Sequence, residues 1–384
     1  MISIYIQDAY HAESPVFVGG WKALPCWPKY FNFWLPCNIY TDIDQYQQSS
    51  AAIKIAFNVV DHRSPGELTP AQVNQREKDK IILLSQISNL VFTIETEVLV
   101  PAMITELEFQ DLDNLYWIMA GTVDEHSNKV IPWQYHIWRV AELYKNFPDA
   151  LRDKLTPYAP KPKYFDAMLG TRKPHRTFVA EQIEQHNLEH KIVHVLGPMP
   201  GDALTVPMHQ GLEFIWAPDF EPLPDMDYLR LNQHIRYRGM LVQMPCILPT
   251  ELFNRTAYSI VCETGCENGI HMLTEKTAKA LLGRRLFVMF AGKGMLKFIR
   301  DEGFKTFDSI IDESYDDIED DQQRWTAAFD QVKKLCTMDQ QQVLDQLQSI
   351  CDHNFKHATS DLEFVPKATV YWKIQNILNN LITQ

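Results

Sequence analysis

The residue types and spacings best suited to chemistry lie in YSIVCETGCENGIHMLTEKTAKALLGRRLFVMFAGKGMLKFIRDEGFKTF, positions 258–307. An apolar run closes at Cys262 and delivers Glu263 into a loop, and the chain returns through Thr274-Glu275-Lys276 at the head of a helical pattern. Thr274 suits an N-cap, and Glu275 falls where the helix dipole favours an anion. Two readings follow. In one, this is a capped helix beside a solvated lysine. In the other, the helix N-terminus and Lys276 meet phosphates while a carboxylate holds the two hydroxyls of a ribose.

A second constellation is LGTRKPHRTFVAEQI, positions 169–183. Arg172, Lys173, His175 and Arg176 crowd between the end of one apolar strand and the start of a helix. Arginine forks bond a diphosphate bidentately, although a basic turn before a helix is also common as a solvated feature. A transfer reaction needs in addition a proton acceptor near the attacking hydroxyl. Asp61 and His62, after the run Ala52–Val60, qualify, as do Asp124 and His126 after LYWIMAG, while Glu263 stands nearer the sugar. Arg230, Arg236, Tyr237 and Arg238 in LRLNQHIRYRG interleave arginine with an aromatic, which suits a phosphate backbone or a flipped base. A basic surface helix or loop is the alternative. Asp-x-Asp occurs at 42–44, 111–113 and 225–227, none after a convincing apolar strand, so no metal is expected.

The elements that would position these groups follow an α/β rhythm. Strands are expected at Ile2–Ile6, Ala52–Val60, Leu90–Ile94, Leu115–Met119, Tyr164–Leu169, Ile192–Leu196, Tyr258–Cys262 and Leu286–Ala291. Helices are expected at 70–90, Trp133–Lys145, Thr177–Asn187, Thr274–Leu282, Met295–Glu302 and through the tail from 320, ending with Tyr371–Leu381. Residues 21–40, rich in aromatics and prolines, read as an irregular packed loop, and 198–225, with six prolines, as a long surface loop. The acidic run 312–321 reads as solvated. Alternating strands and helices imply parallel sheets with ligands at their carboxyl ends.

The 384 residues exceed one ordinary core and suit two. Three prolines within 156–163 mark the best linker. The expected domains are 1–160, 161–365, and a closing helix, 366–384, packing back on the first. Seven scattered cysteines argue against a disulfide framework. The opening MISIYIQDAY lacks a basic signal-peptide region, and no apolar run approaches a membrane span, so a soluble, cytoplasmic protein is expected. The net charge of -13 excludes a basic nucleic-acid module, and any DNA contact must be local.

Strand, Glu263, loop, Thr274-Glu275-Lys276, alanine-rich helix and apolar strand together resemble the donor-binding segment of the fucosyltransferase family. The loop here is two residues longer, and Thr264 stands where that family has asparagine. The Glu-x7-Glu spacing of some sugar-retaining transferases is also present, at Glu267 and Glu275, and it implies the opposite stereochemistry. The stretch 274–325, including 303–307 and 312–316, resembles glycosyltransferase-like proteins of bacteriophages. The strand, short polar turn and arginine entering a helix at 169–183 also resemble the start of the fucosyltransferase family's domain, and together the segments cover roughly a quarter of the chain. They imply the GT-B fold, with two Rossmann-like domains facing each other across a cleft and C-terminal helices crossing back.

They further imply that Arg172, His175, Arg176, Thr274, Glu275 and Lys276 bind a nucleotide-sugar, taken as UDP-linked, with no other cofactor. The implied acceptor is hydroxymethylated cytosine in double-stranded phage DNA. The alternatives are a cell-surface glycan, or a non-catalytic nucleotide-binding protein of the same fold.

Overall fold

The computed structural model describes residues 1–6, 37–59, 70–95, 112–119, 121–123, 129–132, 135–146, 154–170, 172–196, 220–221, 234–237, 240–243, 246–360 and 365–383. The chain divides into two compact units, Met1–Tyr135 with Pro366–Gln384, and His136–Val365.

Unit 1 is built on a six-stranded sheet. Its strands are β1 (Ile2–Ile6), β2 (Cys37–Tyr40), β3 (Ile53–Val59), β4 (Leu90–Glu95), β5 (Leu115–Met119) and β6 (Val130–Pro132), in the spatial order β2-β1-β3-β4-β5-β6. Every pairing is parallel. The inner strand β1 is buried along its whole length, as a parallel strand covered on both faces must be. Among the described residues, two helices fall between these strands. In α1 (Ile43–Gln48), Asp42 caps the N-terminus by accepting from Gln45 N–H at 2.8 Å, which accounts for the first Asp-x-Asp pair. In α2 (Pro70–Ile87), proline opens the helix, where its missing N–H costs nothing. Ile81 and Leu84 of α2 pack with Tyr5, Ala56, Val91 and Trp117. The expectation of an irregular loop through residue 40 is corrected at its end. Cys37–Tyr40 forms the edge strand, since its short CNIY run finds a backbone partner in β1.

Unit 2 begins with α3 (Tyr135–Asn146) and a four-stranded sheet. The strands are β7 (Lys163–Gly170), β8 (Ile192–Leu196), β12 (Thr256–Cys262) and β13 (Phe287–Phe290), in the order β8-β7-β12-β13 and all parallel. Between β8 and β12 come three short antiparallel strands, β9 (Phe220–Glu221), β10 (His234–Tyr237) and β11 (Met240–Gln243). Within the basic stretch 229–239, for which a surface helix or loop was the alternative to a nucleic-acid contact, the described residues 234–237 form a strand.

Among the described residues, the α-helices of unit 2 after α3 are α4 (Pro174–Gln185), α5 (Thr250–Arg255), α6 (Glu275–Leu282), α7 (Met295–Asp301), α8 (Asp321–Leu335) and α9 (Gln340–Thr359). Asp320 and Asp339 cap α8 and α9 by accepting from the third residue on. Gly303, at φ 88°, takes the left-handed conformation that closes α7. The final helix, α10 (Val365–Thr383), falls in unit 1 from Pro366 onward.

In both sheets the chain lays its second strand on one side of the first and its third on the other. This doubly wound order opens a crevice at the carboxyl ends of the first and third strands, where α/β sheets bind ligands. In unit 2 those strands are β7 and β12. In unit 1 they are β1 and β3.

The foot of the unit 2 sheet is locked by an ion pair. Asp166, inside β7, accepts from Arg285 Nη2 at 2.6 Å and from the hydroxyls of Thr256 and Ser259, each at 3.1 Å. Arg285 also donates to Ser259 Oγ and to the carbonyls of Phe253, Thr256 and Tyr258, and its guanidinium lies over the Phe253 ring. Both side chains are buried, and the dense bonding is what makes that burial tolerable.

Candidate functional site

The switch crevice of unit 2 is built from two loops that are distant in sequence. The first leaves β7 at Gly170, whose φ of 66° turns the backbone sharply, and enters α4 at Pro174. Its N-cap, Lys173, makes no side-chain capping bond, so the cationic chain is directed elsewhere. The second loop leaves β12 at Cys262 and reaches α6 through Thr274, which caps the helix.

The loops are stitched together at Glu263. Its carbonyl accepts from His175 Nε2 at 2.9 Å and from Arg176 Nη2 at 3.2 Å, while Lys173 Nζ donates to the next carbonyl, Thr264, at 2.5 Å. The Glu263 side chain is fully buried. Its Oε1 accepts from Thr274 N–H at 3.0 Å and from the Thr277 hydroxyl. Its Oε2 accepts from the Thr274 hydroxyl and from Thr264 N–H at 3.3 Å. A carboxylate thus occupies the N-terminus of α6 from inside, in the position that the dipole favours for an anion. Glu263 holds the helix to the strand end and has no oxygen turned to solvent.

The charged groups left at the rim are Arg172, Lys173, Glu275 and Lys276. Arg172 is exposed and Lys173 half-buried. Lys276 Nζ pairs with Glu275 Oε1 at 2.8 Å and approaches the hydroxyls of Thr264 at 3.3 Å and Thr274 at 3.4 Å. Burial works against the Glu275 charge, but Lys276, Lys279 and His136 outweigh it and hold the carboxyl below the usual carboxylate range. Burial lowers the Lys173 ammonium, and the Arg176 charge adds to the effect. One turn along α6, burial brings Lys279 down to about 8, against the pull of Glu275.

Burial, with Arg176, Lys173 and Lys276 nearby, brings the His175 imidazole down to about 3. It is therefore neutral, and because a carbonyl only accepts, Nε2 carries the proton. The thiols here are inert. Burial raises Cys262 to about 12 and Cys266 to about 11.

The far wall of the crevice is closed by the loop after β13. A Cβ on Gly292 would lie 2.3 Å from the Glu267 carbonyl oxygen, so only glycine lets the two backbones meet. Lys293 N–H donates to Asn268 Oδ1 at 2.9 Å, and Asn268 Nδ2 donates to the Glu319 carbonyl at 2.9 Å. Lys293 Nζ pairs with Glu319 at 2.6 Å, and Arg324 Nε reaches the Ala291 carbonyl at 3.1 Å.

The acidic run expected to be solvated contributes two buried carboxylates instead. Asp316 accepts from the N–H groups of Leu296 and Lys297, each at 2.9 Å, at the head of α7. Glu313 accepts from Phe307 N–H at 2.6 Å and Arg300 Nη1 at 3.0 Å. Burial raises both carboxyls. Local acid density gives no hint of this, because the donors come from residues 6 to 20 positions away.

Of the residues singled out from sequence, the fold brings Arg172, His175, Arg176, Glu263, Thr274, Glu275 and Lys276 to this one crevice. His175, Arg176, Glu263 and Thr274 are buried in its framework, while Arg172, Glu275 and Lys276 reach its surface. Asp61, His62, Asp124, His126, Arg230 and Arg238 lie outside the described residues. Arg236 and Tyr237 are on β10, in register with Glu221 and Phe220 of β9. Asp166 was missed, although a single aspartate inside the apolar strand KYFDAMLG is the signal that would have found it.

Among the described residues, no three His, Cys, Asp or Glu side chains gather as a metal site requires. None of the described helices is long and apolar enough to cross a membrane.

No family model matches the chain, and no curated protein matches it. Among solved structures, it is similar to the catalytic domain of starch synthase IV from Arabidopsis thaliana bound to ADP and acarbose. The identity is 11%, the match covers 87% of this chain and 67% of that one, and the TM-score is 0.33. A likeness of that degree leaves the fold to be read from this chain's own strand order.

Proposed function

We propose that this chain is a glycosyltransferase of the GT-B type, taking its nucleotide-sugar donor at the switch crevice of unit 2. One observation carries the reading. Two sequence segments singled out for their chemistry, separated by about ninety residues, meet where a doubly wound sheet binds ligands, through Lys173, His175 and Arg176 on the backbone of 263–264. Arg172, Lys173 and Lys276 supply positive charge for a diphosphate. They stabilise the charge that gathers on the departing nucleoside diphosphate as the bond to the sugar breaks. With three cations in that role we assign no metal to the reaction. Glu275 is assigned to the ribose diol, and Glu263, His175, Arg176 and Thr274 to holding the loops in place.

The proton acceptor is assigned to Asp61, His62, Asp124 or His126. On the resemblance to phage proteins, the transferred pentose or hexose goes to hydroxymethylated cytosine in DNA, with Arg230, Arg236, Tyr237 and Arg238 meeting the duplex. The net charge of -13 favours the second reading, a glycan acceptor, because an acidic surface repels a polyanion.

Calorimetric titration with UDP, GDP, CMP and dTDP tests the donor site. One nucleotide should be preferred, and Lys276→Ala should weaken it about 10- to 100-fold, the worth of one charge-assisted contact. Wild-type affinity in that variant, or no binding by any nucleotide, would remove the assignment.

A further inference from the structure

Unit 1 holds a polar pair that its own packing leaves unsatisfied. Asn58, one residue before the end of β3, and Thr93, two before the end of β4, face each other in register. Both are fully buried. Among the described residues, neither the Asn58 carboxamide nor the Thr93 hydroxyl has a hydrogen-bond partner. Their row continues to Trp117 on β5, and the row beneath is Ala56 and Val91, packed against α2. A buried polar group without a partner is costly and uncommon. The pair also sits toward the carboxyl ends of parallel strands, the end at which such sheets bind ligands.

The chemistry narrows what would satisfy it. A carboxamide both donates and accepts, and so does a hydroxyl. A group that only accepts, such as a phosphate or carboxylate oxygen, leaves the Asn58 carbonyl oxygen unmet. A group that only donates leaves its N–H pair unmet. A ligand hydroxyl meets both.

We propose that Asn58 and Thr93 recognise a hydroxyl group of a neutral polyhydroxylated ligand. This rests on the second, glycan-acceptor form of the glycosyltransferase reading, in which that ligand is the sugar acceptor. The same pair explains why the sheet tolerates two unsatisfied groups side by side, since a site built for binding is often less stable than its apolar equivalent.

The test uses the full-length protein with Asn58→Leu and Thr93→Val, singly and together, and Thr93→Ser as the conservative control. Each apolar substitution should raise Tm by about 2–4 °C, because it removes an unmet polar group without changing the volume much. A fall in Tm for both would show that the groups are already satisfied and would overturn the proposal. In saturation-transfer NMR with D-glucose and D-xylose, wild type and Thr93→Ser should transfer saturation to a sugar and the double variant should not. Equal transfer by wild type and the double variant, or none by wild type, overturns the ligand assignment. UDP affinity should be the same in all four variants as in wild type, which separates failure of this pair from failure of the donor site.

Discussion

Replacing Glu263 by glutamine tests whether that carboxylate is the pin of the crevice. Each of its oxygens accepts from one backbone N–H and one threonine hydroxyl, Oε1 from Thr274 N–H and Thr277, Oε2 from Thr264 N–H and Thr274. In Glu263→Gln an NH2 group takes the place of one oxygen. The facing hydroxyl can rotate and accept from it, but the facing N–H cannot. One buried backbone donor therefore loses its acceptor, at about 1–3 kcal/mol. The bonds to the remaining oxygen lose charge assistance, at about 1 kcal/mol together. A neutral amide is easier to bury than a carboxylate, which offsets part of this.

The net expectation is a loss of about 2 kcal/mol, read from the urea midpoint of the transition reported by buried Trp325, with the slope unchanged. Nucleotide affinity should fall along with it, since Thr274 and Lys276 are aligned through the same bonds. An unchanged or raised midpoint at constant slope would refute the assignment of Glu263 as the anchor.

Further outcomes follow from other parts of unit 2. Arg285→Met should cost about 3–5 kcal/mol by leaving Asp166 buried and unpaired, and adding Asp166→Leu should recover much of the loss in chemical denaturation. Gly292→Ala should destabilise by about 1–3 kcal/mol, because its Cβ meets the Glu267 carbonyl; a variant as stable as wild type would show that the loops part easily. Lys279, whose amine is lowered by burial from 10.5 to about 8, binds its proton less tightly in the folded chain than in the unfolded one. Wild-type stability should therefore rise relative to Lys279→Met, by up to about 3 kcal/mol, as pH climbs from about 8 to 10.5. Paired urea melts across that range check it, and a constant difference would mean that Lys279 titrates normally.

Much of unit 2 was legible from sequence because its strands are apolar runs with clear ends. Ile192–Leu196 matched residue for residue, β12 and β13 within two residues, and Thr274 caps α6 as its type suggests. Pairing across long separations was not legible. Glu263 looked like a group offered to a sugar because it follows a strand end, yet the return of the chain at Thr274 and Thr277 turns it inward. His175 reads as an ionisable member of a basic cluster, and burial in the first turn of α4 makes it neutral. Asp166 and Arg285 stand 119 residues apart, and neither neighbourhood names the other. The strand at 234–237 was hidden because HIRY, although it alternates polar and apolar residues, is only four residues long, and backbone pairing with Met240–Gln243 decides it.

Hydrogen exchange with and without saturating UDP tests the central claim most directly. Nucleotide should slow exchange in two stretches together, 170–178 and 263–277, because both loops border the one site. Protection confined to another part of the chain, or none at saturation, would contradict a donor site at the switch crevice of unit 2.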